Sequence, residues 1–180
     1  MLEYFLINWI GGVTFTGGDP LVQIDFIIEM CKKLKENNIH VTIDTAGNFD
    51  ITDKVKELFK YVDLVMLDIK HIDDETHKYL TGSSNKKILK LGNYLSDNNI
   101  LTRIRIVYLP NITDNSDENI NRLNNYINSI KSLETVEVLP YHTMGISKWE
   151  QLGIKYQLYN IKEPTNEEVL NFKNRLQKLS

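Results

Sequence analysis

The feature that most constrains this chain is its rhythm. Short β-branched runs alternate with longer amphipathic stretches along its length, the signature of βα units that build a parallel sheet. Strands are predicted at Val13 to Thr16, His40 to Asp44, Asp63 to Asp68, Leu101 to Tyr108 and Thr135 to Leu139. Between the first two, Leu21 to Glu36 sets Ile24, Ile27, Ile28, Cys31 and Leu34 at helical spacing on one face, with lysines and glutamate opposite. That pattern predicts a helix laid against a sheet. Further helices are predicted at Thr52 to Lys60, Asp74 to Tyr79, Lys86 to Asp97, Asp117 to Ser132 and Asn166 to Leu179, several preceded by Thr, Asp or Asn as caps. No repeat or low-complexity linker interrupts the pattern. The 180 residues suffice for one well-buried core, so residues 1–180 read as a single domain.

Right-handed βα crossovers give either a doubly wound sheet or a closed or partial barrel, and periodicity alone does not separate them. The polar residues help. Asp44, Asp68 with Lys70, and the run Leu139-Pro140-Tyr141-His142 all fall at the C-terminal ends of strands, where α/β folds place ligand chemistry. Convergence from several strands predicts a barrel-like site. A formal charge of -3, with lysines and carboxylates interspersed, leaves no basic stripe to track phosphates, which argues against nucleic acid as the main partner. The apolar opening Met1 to Ile10 has no basic n-region, no small-residue cleavage site and no membrane-spanning length, so neither an export signal nor an anchor is expected. A single cysteine, Cys31, rules out an intramolecular disulfide framework and fits a reducing cytoplasm.

The chemistry concentrates in Gly11-Gly12-Val13-Thr14-Phe15-Thr16-Gly17-Gly18-Asp19-Pro20-Leu21-Val22-Gln23, which runs from a strand through a glycine pair into a helix. Adjacent glycines there let backbone approach a ligand where a Cβ would obstruct, and Asp19 and Pro20 suit a helix start. A lone Gly-Gly would mean only a tight turn. The whole run, however, resembles the glycine-rich S-adenosylmethionine-binding motif of the radical S-adenosylmethionine activases of glycyl-radical enzymes, the pyruvate formate-lyase activator family. That family usually carries Gly-Gly-Glu where this chain has Gly17-Gly18-Asp19. Ile43-Asp44-Thr45-Ala46-Gly47, Asp63 to Lys70, Arg105 to Pro110 and Leu139-Pro140-Tyr141-His142 resemble its later motifs in the same order, so the likeness covers nearly all the chain from Gly11 onward.

The resemblance implies an α/β fold, a partial parallel (β/α) barrel of the radical S-adenosylmethionine type. It implies an activase that uses S-adenosylmethionine to generate a 5'-deoxyadenosyl radical, which abstracts hydrogen from a glycine of a partner enzyme. The partner would be a glycyl-radical enzyme of the pyruvate formate-lyase kind, and the reductant a flavodoxin or ferredoxin. By the same resemblance, the backbone at Thr16, Gly17 and Gly18, with Asp19, would meet the methionyl amino group, and Asp44 would help hold that ammonium. Lys70 would approach the methionyl carboxylate, Asp68 and His142 would lie near the ribose, and Arg105 would face cofactor or substrate peptide. Asp44, Thr45, the Met66 carbonyl and Asp68 match a monovalent cation site of the family.

Taken singly, Asp44 fits a turn cap before Gly47 equally well, and His142 a half-buried loop histidine. On the strand where Ile104, Ile106 and Tyr108 alternate with Arg103 and Arg105, the arginine face is either solvent or a polar lumen; Arg103 is left open. Cys31, on the apolar face of its helix, reads as core.

The family's four-iron four-sulfur cluster needs three cysteines spaced C-x3-C-x2-C, and this sequence contains no such motif. In the family those cysteines lie upstream of the glycine turn, so a barrel without its first βα unit is expected, inactive by itself in radical chemistry. Its first strand would then present an open edge, unless Glu3 to Ile10 folds over it, and an open edge invites dimerisation. Two other readings stand beside this one. One is a non-catalytic module that binds S-adenosylmethionine or a partner protein; the other is a Schiff-base lyase built on Lys70.

Overall fold

The computed structural model describes residues 11–114, 116–156 and 158–176. The expected role of Glu3 to Ile10 over the first strand lies outside the described residues. Five strands, β1 (Gly12–Phe15), β2 (His40–Thr45), β3 (Leu64–Asp68), β4 (Leu101–Tyr108) and β5 (Leu133–Pro140), form one parallel sheet in the order of the sequence. The helices are α1 (Ile24–Glu36), α2 (Asp53–Leu58), α3 (Asp74–Thr81), α4 (Lys86–Asp97), α5 (Asp117–Ser129), α6 (Ile146–Gln151) and α7 (Asn166–Arg175), with short 3-10 turns at Pro20–Gln23 and Phe59–Tyr61.

Strand order settles the choice between sheet types. A doubly wound sheet reverses direction at a switch point and carries helices on both faces, whereas same-handed crossovers in strictly sequential order put the helices on one face. Burial follows that rule. Val41 and Ile43 of β2, Val65 and Leu67 of β3, Ile104 and Ile106 of β4, and Val136 and Val138 of β5 are buried. They pack with Ile27, Ile28 and Cys31 of α1, Ile88, Leu91 and Leu95 of α4, and Ile120, Leu123 and Ile127 of α5. Alternation sends the other residues of each strand to the opposite face, where Asp44, Met66, Asp68, Arg103, Arg105 and Glu137 are half-buried. This polar inner face is what a partial barrel presents to its lumen, in agreement with the expected fold.

Helix starts carry the expected caps. Thr52, Asp73, Ser116 and Thr165 each accept a backbone N–H with their side chains, and Thr165 forms a full capping box with Glu168. The first predicted helix begins as a 3-10 turn capped by Asp19, with Pro20 at its opening, where no backbone N–H is needed. Helix α6 was not expected from the sequence; its six residues are too few to show a period. Helix α7 is described to Arg175, short of the predicted Leu179, and residues 177–180 lie outside the described set.

Candidate S-adenosylmethionine site

The register brings the charged residues together. Asp44 pairs in register with Met66, and Asp68 with Arg105, so two carboxylates from β2 and β3 meet one guanidinium from β4. Arg105 Nη2 donates to Asp44 and Nε donates to Asp68 at 3.0 Å. Lys70 Nζ donates to the other oxygen of Asp68 at 2.9 Å, and the Thr16 hydroxyl donates to the free oxygen of Asp44 at 3.0 Å. Residues expected from four separate motifs thus form one hydrogen-bonded cluster at the C-terminal ends of β1 to β4. The Arg105, Asp44 and Asp68 side chains are only 16–18% exposed, so solvent screens these pairs less than a surface pair.

The glycine turn stands beside this cluster. Gly17 has φ +125°, a conformation side chains rarely adopt, and a Cβ at Gly17 or Gly18 would meet nothing within 4 Å. The space over the turn is therefore open to a ligand. Asp19 holds the turn in place: Oδ1 accepts from the Leu21 N–H at 3.1 Å, while Oδ2 accepts from the Thr45 hydroxyl at 2.7 Å and the Ala46 N–H at 3.1 Å. Its carboxylate is committed within the protein, tying the turn to the end of β2.

Thr45 lies on the buried face of β2, with its hydroxyl between Asp19 and the Gly47 N–H that it accepts at 3.0 Å. Of the four residues expected around a cation, Asp44 and Asp68 share the Arg105 guanidinium, Met66 is the register partner of Asp44 on β3, and the Thr45 side chain points to the other face. His142, exposed in the loop after β5, does not join the cluster. Arg103 answers the open question differently from Arg105: it makes a two-pronged pair with Glu134 at 2.8 and 3.1 Å, away from the cluster. Lys70, ion-paired with Asp68, lacks the unpaired, desolvated amine that Schiff-base chemistry favours.

Cys31 is fully buried under β2, and burial pushes its thiol up to about 11. An iron-sulfur cluster requires several converging thiolates, and a single buried cysteine cannot supply them, so the residues of this chain do not fit one. Among the described residues no group of three or more His, Cys, Asp or Glu is placed to hold a metal ion. S-adenosylmethionine is a different matter. An open glycine turn, paired carboxylates and two cations form a donor set that fits an amino acid zwitterion with an attached ribose.

Two residues beyond the motifs complete the surroundings. His71 and Asn85 are buried behind Lys70 and fix the loop that carries it. The only hint in the sequence is that a histidine directly follows Lys70.

A family model described as the Radical SAM superfamily matches residues 1–123. The chain is 45% identical over 164 residues to a pyruvate formate-lyase-activating enzyme of Staphylococcus epidermidis, covering 88% of this chain and 65% of that protein. It is 44% identical over 168 residues to one from Streptococcus mutans, covering 91% of this chain and 64% of that protein. The chain therefore spans just under two thirds of these curated relatives. A crystal structure of a domain of pyruvate-formate lyase-activating enzyme from Bacteroides vulgatus superposes with a TM-score of 0.74 at 24% identity, covering 92% of each chain, which supports the fold. No helix among the described residues is long and apolar enough to cross a membrane.

Proposed function

Because the chain belongs to the radical SAM superfamily, we propose that it is the S-adenosylmethionine-holding part of a glycyl-radical-enzyme activase of the pyruvate formate-lyase-activating type. The observation that carries this is the Arg105-bridged pair of Asp44 and Asp68 beside the open Gly17-Gly18 turn. When bound, the cofactor supplies hydrogen-atom abstraction after one-electron reduction of its sulfonium.

The chain's own residues bind and orient. The backbone of the glycine turn and Asp44 receive the methionyl ammonium, and Lys70 draws the methionyl carboxylate, so the zwitterion is read by opposite charges at two ends. Asp68 holds both Lys70 and Arg105, fixing the spacing between those two cations, and leaves the ribose to hydroxyl-compatible groups at the mouth, with His142 reaching it from the β5 loop. Arg105 neutralises Asp44 and Asp68 in the absence of ligand, and a monovalent cation at these carboxylates would compete with it. The electron-supplying cluster lies outside what these residues hold, so the chain by itself binds without turnover. The buried Cys31 favours that non-catalytic binding reading for the isolated chain. A pyruvate formate-lyase-like enzyme is the proposed partner of the complete activase, a flavodoxin or ferredoxin its reductant, and the cytoplasm its compartment.

Titration calorimetry with S-adenosylmethionine tests the reading. Saturable binding to the folded chain, abolished by Asp44→Asn with Lys70→Ala, is expected. A folded chain that takes up no S-adenosylmethionine at millimolar concentration would refute it.

A further inference from the structure

The loop leaving β3 is held by contacts out of proportion to its length. Ile69 N–H donates to the Arg105 carbonyl at 2.9 Å, extending the β3–β4 pairing one residue past the strand. Lys70 then turns into the cluster. His71, 3% exposed, turns the other way, and its two ring nitrogens bond two different segments. Nδ1 lies 3.0 Å from the Asp73 N–H and so must accept; Nε2 lies 3.1 Å from the Ile112 carbonyl and so must donate. Only one neutral tautomer satisfies both. Asn85, 2% exposed at the start of α4, donates to the His71 and Ile72 carbonyls at 3.1 and 2.7 Å. The loop leaving β3, which carries Lys70, is thereby stapled through one imidazole to the loop leaving β4.

We propose that His71 is a positioning residue that sets where Lys70 meets Asp68, and with it the affinity of the site for the carboxylate end of its ligand. The ligand half of this statement rests on the proposed function; the placement of Lys70 does not. An imidazolium could not accept from Asp73, so protonation replaces a hydrogen bond with two donors facing each other and releases the loop. The groups facing the ring are Asp73 on its own loop, itself held by Arg122 of α5 at 3.3 Å, His77 on α3, Asn85 at the start of α4, and the Ile112 carbonyl from the loop after β4. Burial is the largest influence and pulls the imidazole below its ordinary 6.5, against the hydrogen bond to the Ile112 carbonyl and the charge of Asp73, which favour the proton. The staple is therefore closed at neutral pH.

The test compares the chain with H71Q, and with Ile127→Val as a control weakened in the far core. Two readings are taken across about pH 8 to 5: the Nζ and Cε NMR signals of Lys70, and the dissociation constant of S-adenosylmethionine. The expected result is that H71Q shifts the Lys70 signals and weakens binding about tenfold at the upper pH. The natural chain should lose binding as acid protonates His71, a pH-dependent component missing in H71Q, and I127V should resemble the natural chain in both readings. If H71Q moves the Lys70 signals no more than I127V does, His71 is merely structural and the inference is overturned. If the natural chain binds no S-adenosylmethionine, the proposed function falls and the Lys70 signals alone decide the placement.

Discussion

Arg105 is the single residue on which the site turns, because two carboxylates from neighbouring strands share its guanidinium. Arg105→Met leaves Asp44 without a cationic partner and Asp68 with Lys70 alone, and stranding a partly buried carboxylate in this way lowers stability by about 3 kcal/mol. Urea unfolding at neutral pH checks this, and Arg105→Met with Asp44→Asn should recover part of the loss, since the stranded charge is then gone. His71 gives a second prediction. Its imidazole titrates near 6.5 when unfolded and lower when folded. The folded chain therefore holds fewer protons than the unfolded chain in that window, so stability is full above about pH 6.5 and is lost as pH falls towards the folded value. H71Q should flatten this segment of a stability-versus-pH curve. Asp44, Asp68, Lys70 and Arg105 were all legible in the sequence, because strand ends and motif order locate them. The roles of Asp19 and His71 were not, because each depends on a partner distant in sequence: Thr45 and Ala46 for one, Ile112 for the other.

At the scale of elements, the helices hold the sheet by close contact. Helix α1 was legible to within a turn from its apolar spacing, and Cys31 lies in its core with a thiol raised to about 11. Iodoacetamide at mildly alkaline pH should leave Cys31 unmodified in the native chain and label it fully in urea; rapid native labelling would contradict the burial. Where α4 meets α5, Gly92 lies under the Tyr126 ring, whose hydroxyl donates to the Leu89 carbonyl at 3.0 Å. A Cβ at Gly92 would stand 2.0 Å from that hydroxyl oxygen but 3.2 Å from the ring carbon bearing it. Gly92→Ala should thus destabilise by about 1–3 kcal/mol through overpacking, and Tyr126→Phe should relieve much of the strain in the double variant, a coupling that a double-mutant cycle measures. No sequence pattern announces this contact, since a glycine inside an amphipathic helix looks like a weak helix former until its neighbour is known.

For the molecule as a whole, the last helix fastens the end of the chain to the middle of the fold. Phe172 of α7 is 1% exposed and stacks on Tyr108 at 4.6 Å between ring centroids. Phe172→Ala should lower stability by about 3–5 kcal/mol, read by chemical denaturation as a shifted midpoint with an unchanged slope; a change in slope would mean that α7 unfolds separately. The sheet has two free edges among the described residues, β1 and β5. An open edge is a template for another strand, so sedimentation across a concentration series is expected to show self-association, and a strictly monomeric chain would mean that the β1 edge is covered. Strand order has a further consequence, for biosynthesis. Each strand pairs with the one made just before it, so no strand has to wait for a neighbour encoded further downstream. During translation the sheet can grow in the direction in which the ribosome delivers it, with each new βα unit docking on a template already formed. On that route Asp68 is delivered together with its partner Lys70, whereas Asp44 stays without its cation until β4 brings Arg105, so the nascent chain passes through a stage in which one half of its site is charged and unpaired.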